Sequence, residues 1–209
     1  MLQPIVLPAG SPDVPVLLGE GWQVTVRSFG ARLDAADVDR DRLLDLVRRV
    51  GPELVMRELT AGDVDAVLEL DGATAGDYPG GAATQHEPFD RAAATPTPVR
   101  RAWGAPSEGG ELLAVTVVDL VAAAADTGDA PDGAAAETDV TVVRRGHRGR
   151  GLGTAVKAAS VLALVEEGVR RFRTGGSSEN PAIIRAGESL GYVRDEEWLT
   201  LERTPIPAP

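Results

Sequence analysis

The chain has 209 residues, 43% hydrophobic and 25% charged, enough for one globular domain of mixed class burying roughly 70% of the surface its unfolded form exposes. The absence of Cys excludes disulfides and thiol catalysis, and two His without a Cys partner argue against a structural zinc site. A net charge of −11 argues against a nucleic-acid or anionic-membrane partner, and with neither a basic leader nor a run of bilayer length the expected location is cytoplasmic.

In chain order, residues 1–21 are Pro-rich with short apolar pieces and are expected to be irregular. Residues 22–29 alternate as a strand does, with Trp22, Val24 and Val26 on one side. Leu43, Leu44, Val47 and Val50 fall at helical spacing within residues 42–50, a helix that Gly51 and Pro52 end. Residues 54–59 read as a strand, and Thr60 followed by Asp63 three positions on is a capping-box pattern for a helix through Leu70. Residues 71–98 are rich in Gly, Pro and Ala and carry Tyr78, His86, Glu87 and Phe89. Residues 99–103 and 112–120 predict a hairpin joined across 106–110. Residues 121–136, with their alanines, Gly128, Pro131 and Gly133, read as a flexible connection.

The most informative stretch follows. Residues 138–143 form a Val- and Thr-rich strand, residues 152–167 a long Ala-, Leu- and Val-rich helix, and between them stand Arg148, Gly149, Arg150, Gly151, Leu152, Gly153 and Thr154. Glycines at such a junction leave backbone N–H groups open at a helix N-terminus, where unsatisfied donors and the macrodipole favour an anion such as a pyrophosphate. A nucleoside-triphosphate loop would end in Gly-Lys-Ser/Thr, and a dinucleotide fingerprint would lead to a strand ending in an acid; neither is present. Arg144, Arg145, Arg148 and Arg150 make a local basic cluster around this loop. Gly168 stops the helix, Val169, Phe172 and Thr174 outline a strand, and Asn180 and Pro181 open a last helix that Gly191 closes.

The spacing of Arg148, Gly151 and Gly153 resembles the acetyl-CoA-binding motif of the GNAT superfamily of N-acetyltransferases. The run from Asn180 and Pro181 to Leu190, Gly191 and Tyr192 is similar to the last helix of that family. The resemblance covers about residues 53–203. It implies an α+β fold with a central mixed, mostly antiparallel sheet flanked by helices: a GNAT-like acetyltransferase domain over residues 53–209, preceded by an N-terminal extension over 1–52. That extension matches nothing recognisable and is left as an added edge strand and helix, a homodimer contact or a relic of a second domain.

What the family implies for chemistry is specific. Acetyl-CoA would be the cosubstrate, held by residues 148–154, with Asn180 hydrogen-bonding the pantetheine arm. Backbone N–H groups at a splay in the preceding strand, mapped to Val142 and Val143, would stabilise charge on the thioester oxygen. Residues 71–98 would form the variable acceptor loop. For the base, period-two alternation puts Glu137, Asp139 and Thr141 on one face with Val143, and Glu137 lies where several family members carry a glutamate base; Asp139 is the reserve. Many members place a general-acid Tyr where this chain has Gly187. The expected activity is direct acetyl transfer from acetyl-CoA to a primary amine of a small molecule, without metal. A non-catalytic acyl-CoA-binding or regulatory protein is the alternative, and a structural module with an ordinary glycine turn the third reading.

Overall fold

A computed structural model describes residues 3–77, 84, 87–121 and 135–203. Tyr78, His86 and residues 122–134 of the expected connection lie outside the described residues. The described chain runs β1 (Ile5–Pro8), α1 (Asp13–Gly19), β2 (Trp22–Asp34), α2 (Arg40–Arg48), β3 (Arg57–Glu58), α3 (Val64–Thr74), α4 (Arg91–Ala94), β4 (Arg100–Pro106) and β5 (Leu112–Val121). It continues through β6 (Ala135–Val143), α5 (Leu152–Glu166), β7 (Arg171–Ser177), α6 (Pro181–Leu190) and β8 (Val193–Arg203).

The strands form one sheet in the order β1-β8-β2-β7-β6-β5-β4-β3. Every neighbouring pair is antiparallel except β6 with β7, so the sheet is mixed and mostly antiparallel, as the family resemblance implies. On one face, Leu43 of α2, Val161 and Leu164 of α5 and Leu190 of α6 pack against Phe29, Leu33 and Phe172. On the other, Val67 and Leu70 of α3 and Ala94 of α4 pack against Val115, Val117 and Val140. Burying each Val, Leu or Phe among these stabilises the fold by roughly 1.5–3 kcal/mol.

Local signals place most of these elements. Asp63 Oδ2 accepts from Thr60 N–H (2.8 Å) and Thr60 Oγ1 from Gly62 N–H (3.3 Å), closing the capping box ahead of α3. Asp39 Oδ1 accepts from Arg42 N–H (3.0 Å) and caps α2. Residues 1–21, expected to be irregular, instead hold β1 and α1. Pro8 ends an edge strand, Pro12 precedes α1 and Pro15 lies in its first turn, positions where a missing N–H breaks no ladder. Ile5 and Leu7 then face the cluster of Val14, Trp22, Leu199 and Leu201. Nor does the first quarter of the chain add only an edge: β2 lies inside the sheet between β7 and β8. The strand expected over 54–59 shrinks to Arg57–Glu58 on β4, with Leu54 and Met56 turned into the packing beside Leu152.

Candidate active site

The parallel ladder between β6 and β7 is short. It pairs Ala135 with Arg171, Ala136 with Phe172 and Glu137 with Arg173, and then the strands part: β6 continues along β5 while β7 continues along β2. A gap therefore opens in mid-sheet immediately beyond Glu137, and the loop leading into α5 stands at its outer end.

That loop has the form the glycines predict. Gly149 and Gly151 take φ of +74° and +84°, a region that L side chains rarely enter, and Gly151 is the N-cap of α5 with no side chain capping the helix. The first backbone N–H taken up is that of Ala155, by the Gly151 carbonyl (2.9 Å). Among the described residues nothing lies within 4 Å of a Cβ built on Gly149, so the concave side is open to an anion. Gly153 answers a different need: a Cβ there would stand 3.1 Å from Val143 Cγ2, so its absence lets α5 settle on β6.

The basic cluster is largely committed. Arg144 reaches Glu69 (2.5 Å) and Glu111 (3.2 Å), tying the loop to α3. Arg148 donates through Nε to the Val143 carbonyl (3.0 Å) and through Nη2 to Asp77 (2.6 Å), which Arg145 also holds. The Arg145 and Arg148 guanidinium groups keep the Asp77 carboxyl down at about 2, well below the usual carboxylate range. Arg150 is exposed beside the open glycines.

Asn180 accepts from Ala182 and Ile183 N–H (3.1 and 3.3 Å) through Oδ1, which leaves its Nδ2 as a donor. Val142 and Val143 do not present their N–H groups alike. Arg144 N–H binds the Leu113 carbonyl (2.9 Å), and the alternation of an antiparallel ladder then turns Val142 N–H toward β5 and the N–H groups of Thr141 and Val143 toward the gap.

The predicted face of β6 needs correction. The register slips between Val117–Val140 and Val118–Thr138, so Asp139 is an extra residue, a β-bulge, and the alternation reverses across it. Thr141 and Val143 consequently pack under Gly153 of α5, whereas Glu137 and Asp139 face the opposite side. There they line a cleft of about 870 Å³, with Thr138 of β6, Thr174 of β7, Phe29 of β2 and Phe89 ahead of α4. Asp71 fixes that wall by accepting from Phe89 N–H (2.8 Å). The two carboxylates differ in availability: Asp139 is held by Arg100 (2.5 Å), while Glu137 is exposed and makes no ion pair with any described residue.

Gly187 is buried on α6, and a Cβ built there would stand 3.7 Å from Tyr192 Cβ, so Tyr192 occupies the space beside it. One residue that the sequence did not bring forward lies at the inner end of the gap, against Thr174. Lys157 of α5, 2% exposed, donates through Nζ to Thr174 Oγ1 (2.7 Å). The signal for it was available: Lys157 is the single lysine of the chain, set in an otherwise apolar helical run. Among the described residues no three His, Asp or Glu side chains gather as a metal site, and no helix is long and apolar enough to cross a membrane.

The fold is that of the GNAT proteins. The chain superposes on a GCN5-related N-acetyltransferase-like protein from Streptococcus suis with TM-score 0.61 at 18% identity, over 95% of this chain and 70% of that one. For a GCN5-related N-acetyltransferase from Kribbella flavida the TM-score is 0.63 at 19% identity, over 99% and 68% of the two chains. A tandem GNAT protein from the clavulanic acid biosynthesis pathway gives 0.63 at 23% identity, over 99% and 64%. The chain thus spans about two thirds of the length of these proteins. Its sequence matches no family model and no curated protein.

Proposed function

We propose that this protein is an N-acetyltransferase that moves an acetyl group from acetyl-CoA directly to a primary amine of a small molecule. The observation that carries the reading is the continuity of three features: an uncapped helix N-terminus behind open glycines, a gap between two parallel strands, and a cleft with a free carboxylate at the far end of that gap. Residues 149–154 hold the pyrophosphate through backbone N–H groups, and Asn180 Nδ2 donates to the pantetheine. The bound thioester supplies the activated acetyl group; Thr141 and Val143 N–H groups donate to its oxygen as charge develops there. Glu137 accepts the proton of the amine, directly or through water, while Asp139 holds Arg100 in place.

Glu137→Gln should lower turnover about tenfold or more at neutral pH and less in alkaline solution, where free amine is abundant. A pH–rate profile identical to that of the parent removes Glu137 from the mechanism. Binding and catalysis separate experimentally: CoA should raise the thermal midpoint, and acetyl-CoA with an amine panel should release free thiol. A CoA-stabilised protein that releases none with any amine is the non-catalytic acyl-CoA binder, a reading that the missing hydroxyl at Gly187 favours. A protein that CoA does not stabilise has only the fold.

A further inference from the structure

Of the 21 basic residues in this chain, 20 are arginine and one, Lys157, is lysine. Arginine cannot shed its proton in a protein, and lysine can. Lys157 projects from the second turn of α5 into the sheet, and its amine lies at the level where β6 and β7 separate. Among the described residues its amine has Thr174 Oγ1 of β7 as hydrogen-bond partner at 2.7 Å and lies over the ring of Tyr192, whose centroid is 5.8 Å away. Tyr192 in turn shares a hydrogen bond with Thr138 of β6. Arg173, the neighbour of Thr174, is engaged by Asp195 and Glu196, and among the described residues no carboxylate pairs with Lys157. Thr174 also lines the cleft and is the first residue of β7 past its ladder with β6, so the residue that holds the buried amine borders the place where a thioester reaching through the gap would meet an acceptor.

We propose that Lys157, acting through the Thr174 hydroxyl, delivers the proton to the CoA thiolate as it leaves, the role for which residue 187 offers no side chain. The inference rests on the acetyltransferase reading. The amine nitrogen bonds to the acetyl carbon and the C–S bond breaks. Sulfur takes the Thr174 hydroxyl proton, and Thr174 Oγ1 takes one from Lys157 Nζ, leaving a neutral amine. The proton of the attacking nitrogen goes to Glu137, which returns it to solvent as Lys157 regains one. Burial lowers Lys157 to about 7, below the ordinary thiol value of about 8.5, so this transfer runs downhill. The same burial pushes the Tyr192 phenol up, which makes it the poorer donor of the two.

Lys157 touches no reacting atom in this scheme, so the test must read protonation as well as rate. Protein grown with [ε-¹³C]lysine has one lysine resonance, and its titration should have a midpoint near neutral pH; an amine that stays charged beyond pH 9 overturns the proposal before any acceptor is known. In acetyl transfer, Thr174→Val should lower kcat about tenfold at neutral pH and abolish the fall in kcat on the alkaline side, with KM for acetyl-CoA kept within about twofold; Thr174→Ser should restore both. An active T174V enzyme with the parental pH profile overturns this inference alone. If wild-type protein titrates as expected but transfers acetyl to no amine, the acetyltransferase reading fails and the proposal fails with it.

Discussion

Lys157→Met raises stability, and the gain depends on pH. The unfolded chain keeps the lysine proton up to its ordinary value of about 10.5, whereas the folded chain keeps it only to about 7, because burial disfavours the ammonium. Between these values folding expels a proton, so wild-type stability climbs with pH across that window. Below pH 7 both states hold the proton and the native state carries the full burden of the buried charge; above 10.5 the amine is neutral in both and the burden is gone. Each pKa unit is worth 1.36 kcal/mol, so Met, of similar length and without charge, should gain on the order of 4 kcal/mol at pH 6–7, roughly 10 °C in Tm. The gain should fade as pH approaches 10. Thermal melts of the two proteins from pH 6 to 10 check this, and a constant offset between them contradicts the buried-amine account.

Gly151→Asp should weaken CoA binding at least about a hundredfold. Gly151 sits at φ +84° as the N-cap of α5, so any side chain there carries backbone strain of roughly 1–2 kcal/mol. Aspartate adds a carboxylate to the helix end where the pyrophosphate would lie, replacing the ligand's charge with the protein's own. Gly151→Ala separates the two effects: it brings the strain without the charge, and should weaken binding about tenfold or less. Calorimetric titration of CoA into each folded variant measures both, and equal affinity of G151D and the parent means that the pyrophosphate lies elsewhere.

Elements with local punctuation were legible in the sequence. The Thr60–Asp63 box, the hairpin of β4 and β5, the glycine entry to α5 and the Asn180-to-Gly191 frame of α6 all depend on contacts within a few residues. The bulge at Asp139 could not be read in this way, because it arises from the register of β6 against β5, some twenty residues upstream, and it decides which face Glu137 shares. Asp139 looked as available as Glu137 until the fold brought Arg100 from β4 against it. β2 offered its alternation, but nothing local to it says that it lies between β7 and β8, strands from the other end of the chain. β1 and α1 were masked by prolines that stand where they break no hydrogen-bonded ladder.

The central claim is that the cradle, the gap and the cleft act as one acetyl-transfer site. It is tested most directly by incubating the protein with acetyl-CoA and a panel of primary amines, and measuring free thiol and N-acetylated amine in the same mixtures. For at least one amine the two products should appear in equal amounts, at a rate that G151D abolishes and E137Q lowers. Thiol release that never exceeds the protein-free rate with any amine, from a protein that binds CoA, would contradict the claim.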